Sequence, residues 1–154
     1  IAMHALLESA LQEFCELAKE RRKSKLAVED LAKGGADGFK ERRYLEKVHA
    51  VEVDGRLWDA ISPLVFVRNR IAHSSGRVHG VRSAREFALL TQTPGLSVQG
   101  TVVADLRFVN GSLRVEKEFV ESFEKAIYAL LKALESKLSE WDGLRAVRSG
   151  RRQD

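Results

Sequence analysis

With only one cysteine, Cys15, the chain cannot close an intrachain disulfide or build a cysteine-based zinc site. Cys15 falls between Phe14 and Leu17 in a helical pattern, which predicts a small buried thiol. Helix breakers are scarce too: two prolines and eleven glycines leave room for long helices. No apolar run approaches the roughly 20 residues of a membrane span. The opening "IAMHALLESA" lacks the basic-then-apolar order of a signal peptide, so a cytoplasmic protein with no membrane partner is expected. Neither sign of charge dominates. The 26 Lys+Arg against 22 Asp+Glu give a net charge of +4, which permits a polyanion partner without requiring one. The seven Phe, two Trp and two Tyr fall mostly on apolar stripes, so no base-stacking platform is evident.

What is present is helical periodicity. The 154 residues suit one domain with one core. "ALLESALQEFCELAKERRK" places Leu7, Leu11, Phe14 and Leu17 or Ala18 on one stripe and ends in a basic cluster running from Arg21 to Lys25, as a helix C-terminus favours. "LAVEDLAKGGADG" reads as a short helix or turn broken by Gly34, Gly35 and Gly38. "FKERRYLEKVHAVEV" reads as a second main helix and "VDGRLWDAISPLVFVRNRIAH" as a third, with Asp54 its N-cap. Pro63 either begins that helix or kinks it. "SAREFALL" suggests a short helix, and "TVVADLRFVNGSLRVEKE" a hairpin turning at Asn110-Gly111. Phe119, Phe123, Ile127, Leu130, Leu134, Leu138 and Trp141 mark a long closing helix. The expected fold is therefore mainly α: a bundle of about four to five helices with a small β-hairpin before the last. It spans residues 1–144 and is followed by a basic, disordered tail over 145–154.

"VRNRIAHSSG", residues 67–76, interrupts the third helix's apolar run with polar side chains. At about 100° per residue, Arg68 follows Ile61 and Val65, Asn69 follows Val65, and His73 lies one turn beyond Asn69. This spacing predicts that all three point toward the core side. An unpaired guanidinium there is too costly to be accidental. Either the three are satisfied inside the monomer, or that side faces a cleft or a partner chain.

The stretch resembles the signature of HEPN domains, Arg-x4-His with a polar residue after the arginine. The order of elements is similar too, over roughly residues 5–140: a helix like "LLESALQEFCELAKE", a "YLEKV" helix, a tryptophan ahead of the motif, a hairpin like "LRFVNGSLRV" and a closing helix like "FVESFEKAIYALLKAL". The stretch is similar to the RiboL-PSP-HEPN or Swt1-like branch. The resemblance implies a homodimer in which the motif helices of two protomers form one composite site. It also implies metal-independent RNA cleavage with no cofactor, and in some members a toxin restrained by an antitoxin protein. Arg68 and His73 match the catalytic pair and Asn69 the supporting polar residue. One branch carries a modifiable tyrosine two residues after the histidine. Here that position is Ser75, so that regulation is not implied.

The chemistry suits these residues. RNA supplies its own nucleophile, the 2′-OH; an imidazole titrates near neutrality and serves as base or acid, and a guanidinium fork matches phosphate oxygens. Arg70, Arg77, Arg82 and Arg85, with the Arg21–Lys25 cluster, either line an RNA groove or form a solvated charged face. Arg70 and Arg77 are the expected RNA-binding pair. His73 and His79 make a poor metal site without clustered carboxylates or thiols. His4 and His49 are expected at the surface. Ser74 and Ser75 lead into Gly76 as a helix end. Two other readings stay open: a non-catalytic HEPN module that binds RNA, a nucleotide or a protein, and a helical interaction domain unrelated to nucleic acid.

Overall fold

Helix α1 (Ala2–Arg22) buries His4, Leu7, Leu11, Cys15 and Ala18, a stripe at steps of three and four. It stops where Lys23 turns left-handed (φ 52), letting Ser24 N–H donate to the Lys19 carbonyl at 3.0 Å. The computed structural model describes residues 2–31, 39–80, 83–104 and 108–150, and side chains within 2–31, 39–80, 83–104 and 109–140. The expected turn at Gly34, Gly35 and Gly38, together with Arg82, lies outside these residues, as does the side chain of Trp141.

The chain is mainly helical, as expected. The described residues form five α-helices and a small three-stranded antiparallel sheet, with a hairpin ahead of the last helix. They divide into two compact units, residues 5–58 with 128–154 and residues 59–127 with 1–4.

In the first unit, a 3-10 turn (Val28–Asp30) precedes the short helix α2 (Lys40–Arg43), which runs into a π-helical turn (Tyr44–Val48). The second main helix is thus shorter than its sequence suggests. Ala50 turns left-handed (φ 54), and Val51 N–H donates back to the Leu45 carbonyl at 2.9 Å. A turn widened to i→i+5 stacks residues five apart. It brings the rings of Tyr44 and His49 to 4.6 Å, edge to face. The core of this unit gathers Leu7, Leu11, Leu45, Trp58, Leu130 and Leu134. The Tyr44 hydroxyl donates to the Leu26 carbonyl at 2.5 Å, and Arg42 lies 5.5 Å from the Trp58 ring centroid.

The second unit holds most of α3 (Gly55–Ser74), strand β1 (Arg77–His79), α4 (Ala84–Gln92), β2 (Leu96–Val103), β3 (Phe108–Val115) and the start of α5 (Lys117–Gly150). Asp54 caps α3 as expected, its Oδ1 accepting from Arg56 N–H at 2.9 Å. Pro63 lies inside the helix rather than at its start. The strands run in the order β1-β3-β2. Val78, Leu90 and Val109 form a core against which Phe66, Phe87, Val98 and Leu113 pack.

The hairpin is present, but Asn110-Gly111 is not its turn. That dipeptide lies mid-strand in β3, paired with Thr101 and Gly100, and the pairing runs on past it to Val103 and Phe108. Glycine is required there for close approach: a Cβ on Gly111 would come within 2.4 Å of the Gln99 carbonyl oxygen. Helix α5 has 34 residues and continues through Gly150, into the stretch expected to be a disordered tail; residues 151–154 lie outside those described. Among the described residues no helix is long and apolar enough to cross a membrane.

Candidate functional site

Helix α3 buries Ile61, Leu64 and Val67, and its last two turns are set by what that face leaves over. Arg68 is half-buried, whereas Asn69, Ala72 and His73 are exposed and Ile71 is 36% exposed. The three polar residues therefore lie beside the buried stripe, not on its core side as their spacing from Ile61 and Val65 suggests. The stripe advances by threes from Trp58 through Ile61 and Leu64 to Val67, and each step of three rotates it about 60° short of a full turn. That drift carries Val67 inward and leaves Asn69 and His73 facing out.

The arginine and asparagine meet directly. Arg68 Nη1 donates to Asn69 Oδ1 at 2.9 Å. Neighbours on one helix diverge by about 100°, so this contact bends the guanidinium round the helix toward the exposed side that carries His73. Beyond His73 the helix ends at two left-handed residues, Ser75 (φ 49) and Gly76 (φ 75), as Gly76 led one to expect. Gly76 N–H donates to the Arg70 carbonyl at 2.9 Å, and its own carbonyl accepts from Leu113 N–H at 2.8 Å. The motif turn is thereby anchored to β3, and Arg77 follows at once into β1.

Arg70, expected beside Arg77 as an RNA contact, is turned elsewhere. It forms an ion pair with Glu86 of α4 and covers the Phe66 ring at 5.3 Å. Ser83 caps α4 by accepting from Glu86 N–H at 3.1 Å, which fixes the carboxylate's helix. Arg77 and His79 are exposed at either end of β1. Arg85 is exposed and donates to Ser62 Oγ at 3.3 Å. In the other unit Arg21 donates to the Leu138 carbonyl at 2.6 Å, so one member of the first basic cluster caps a backbone oxygen.

Both histidines expected at the surface are buried. His4 continues the α1 stripe three residues before Leu7, a spacing that the sequence itself displays. His49 is 2% exposed, and among the described residues no hydrogen-bond partner reaches either ring nitrogen. Burial, followed by the charge of Arg22, holds its pKa below the ordinary value. A cavity of about 460 Å³ runs along α1, its described lining including Glu13, Glu16 and Glu20. Three carboxylates repel a phosphodiester, so this cavity does not suit an RNA chain. No protein-family model, no curated protein and no solved structure matches the chain.

Proposed function

We propose that the protein is a metal-independent endoribonuclease that cleaves RNA by 2′-OH attack at a composite site, formed where the α3 motif turns of two protomers meet. What carries the reading is that half-buried Arg68 bonds to exposed Asn69 one turn before exposed His73 at the end of α3, while Arg70 between them is held by Glu86. A purely structural arginine would be expected to be ion-paired like Arg70. Among the described residues Arg68 instead reaches only a neutral amide, and keeps its charge available to a ligand.

In the proposed reaction one His73 takes the 2′-hydroxyl proton. The 2′-oxygen attacks phosphorus and the bond from phosphorus to the 5′-oxygen breaks. The second protomer's imidazolium gives its proton to that departing oxygen. The products are a 2′,3′-cyclic phosphate and a 5′-hydroxyl. Arg68 balances charge on the phosphorane, an effect of about 3 kcal/mol for a well-placed group. Exposed Ile71 and Ala72 beside the motif supply the small apolar surface for apposing the two helices. A role as a toxin held by an antitoxin rests on the HEPN resemblance alone.

The test is cleavage of a labelled RNA in EDTA, with His73→Ala and Arg68→Ala alongside and a 2′-deoxy copy as control. Cleavage confined to RNA, ending in cyclic phosphate and lost in both variants, establishes the activity. Binding by all three proteins without cleavage by any favours a non-catalytic RNA-binding module. A protein that cleaves while strictly monomeric removes the composite site.

A further inference from the structure

The sheet has two unlike faces. One carries Val78, Val109 and Leu113 into the core. On the other, side chains fall into rows set by the strand register. Arg77 pairs with Ser112, which pairs with Gln99. His79 pairs with Asn110, which pairs with Thr101. Arg114 pairs with Ser97. Every one of these side chains is exposed. No strand residue is acidic, so these rows do not suit a cationic partner.

Arg77 and Arg114 are diagonal neighbours, at a spacing of about 7–8 Å in an antiparallel pair. Like charges placed so are unfavourable unless an anion lies between or above them. Among the described residues Arg77 makes no hydrogen bond or ion pair, and Arg114 reaches only Glu116, at 3.7 Å with both side chains more than half exposed. Such a contact is weak and easily exchanged for a phosphate. The hydroxyls and amides between the cations both donate and accept hydrogen bonds, as a chain of alternating phosphates and 2′-hydroxyls requires. Position agrees with chemistry: only Ser74, Ser75 and Gly76 separate His73 from Arg77, and the Gly76–Leu113 hydrogen bond ties that turn to the same sheet.

We propose that this exposed sheet face is the docking surface for single-stranded RNA, carrying the chain by its phosphates and sugars into the Arg68–His73 turn. The proposal rests on the ribonuclease reading for its ligand. It differs in placing affinity on Arg77 and Arg114 and leaving cleavage to the helix.

The test uses fluorescence anisotropy of a labelled 20-nucleotide uridine RNA and its 2′-deoxy counterpart over a salt series. The proteins carry His73→Ala so that the probe stays intact. Adding Arg77→Ala and Arg114→Ala together should weaken RNA binding at least tenfold. The slope of log affinity against log salt should fall by about 1.4, since each phosphate contact on a single strand contributes about 0.7. Changing both positions to Lys should restore binding to within a few-fold. Lys125→Ala with Lys132→Ala, which removes the same charge from α5, should change binding less than twofold. Equal binding by the sheet variant and its parent, or an equal loss in the α5 control, overturns the proposal. Tighter binding of the deoxy strand overturns the assignment to RNA. Measured separately with His73 intact, unaltered cleavage and KM in the sheet variant remove the docking face and leave the nuclease reading standing. A sheet-dependent affinity without cleavage by the wild type does the reverse.

Discussion

Arg70 and Glu86 form an ion pair that joins α3 to α4, with side chains only 19% and 11% exposed. Sixteen residues separate them, so the contact is tertiary. It holds the helix segment between Arg68 and His73 against the cluster containing Phe66 and Phe87. Removing one partner of a mostly buried ion pair costs about 3 kcal/mol. Glu86→Ala is therefore expected to lower the urea midpoint steeply, and Ser83→Ala, which removes only the α4 cap, to cost about 1 kcal/mol. A change below about 0.5 kcal/mol for Glu86→Ala would mean that the pair behaves as a surface one.

That pair also marks the limit of what the sequence discloses. The helices announce themselves: α1 by Leu7 and Leu11, α5 by Phe119, Phe123, Leu130, Leu134 and Leu138, α4 by Ser83 with Glu86 three residues on. The motif is legible as an interruption of periodicity at Arg68, Asn69 and His73. Which side it faces is not, because that depends on which residues of α3 the core selects. Nor does Arg70 differ in sequence from Arg77; a carboxylate from another helix distinguishes them. Asn110-Gly111 misleads for a similar reason. The same glycine serves a tight turn or a close strand approach, and only the pairing with Gly100 decides. His49 escapes because a π turn, not an α turn, stacks it on Tyr44.

His49 makes stability depend on pH. Its pKa is lowered in the folded protein by burial first and by Arg22 second, from an ordinary value of 6.5. Below 6.5 the unfolded chain binds a proton that the folded chain resists. Stability is therefore full above that pH and declines as pH falls from 6.5 toward the lowered folded value. The slope from this one group is at most about 1.4 kcal/mol per pH unit. Urea unfolding at pH 8 and at steps down to pH 5 measures it. His49→Phe should remove this part of the slope while keeping a ring against Tyr44, and an unchanged slope in that variant would assign the dependence elsewhere.

Cys15 is expected to be unreactive. Burial, aided by the negative charge of Glu41 and Glu16, pushes its thiol up to about 12, and the thiol donates to the Glu41 carbonyl at 3.8 Å. A thiolate is the reacting species, so at pH 8 almost none is present in the folded chain. Aromatic disulfide reagents should leave the native protein unlabelled over hours and label one thiol per chain at once in concentrated urea. Rapid labelling of the native protein would show that α1 opens locally far more readily than its buried stripe implies.

Asn69 separates a positioning role from a merely structural one. Its exposed side chain accepts from Arg68 and buries no surface, so Asn69→Ala should alter the unfolding free energy by less than about 0.5 kcal/mol. If Asn69 aims the guanidinium at a phosphate, losing one hydrogen bond to a charged group, about 1.5 kcal/mol, should lower kcat/KM for RNA roughly tenfold. Asn69→Asp then discriminates further. It matches asparagine in shape, yet its carboxylate would pair with Arg68, neutralise it and repel the phosphate. Activity should fall in the order wild type, Ala, Asp, with Asp approaching Arg68→Ala, where a hundredfold or greater loss is expected. An aspartate variant as active as asparagine would show that the Arg68–Asn69 contact takes no part in the chemistry.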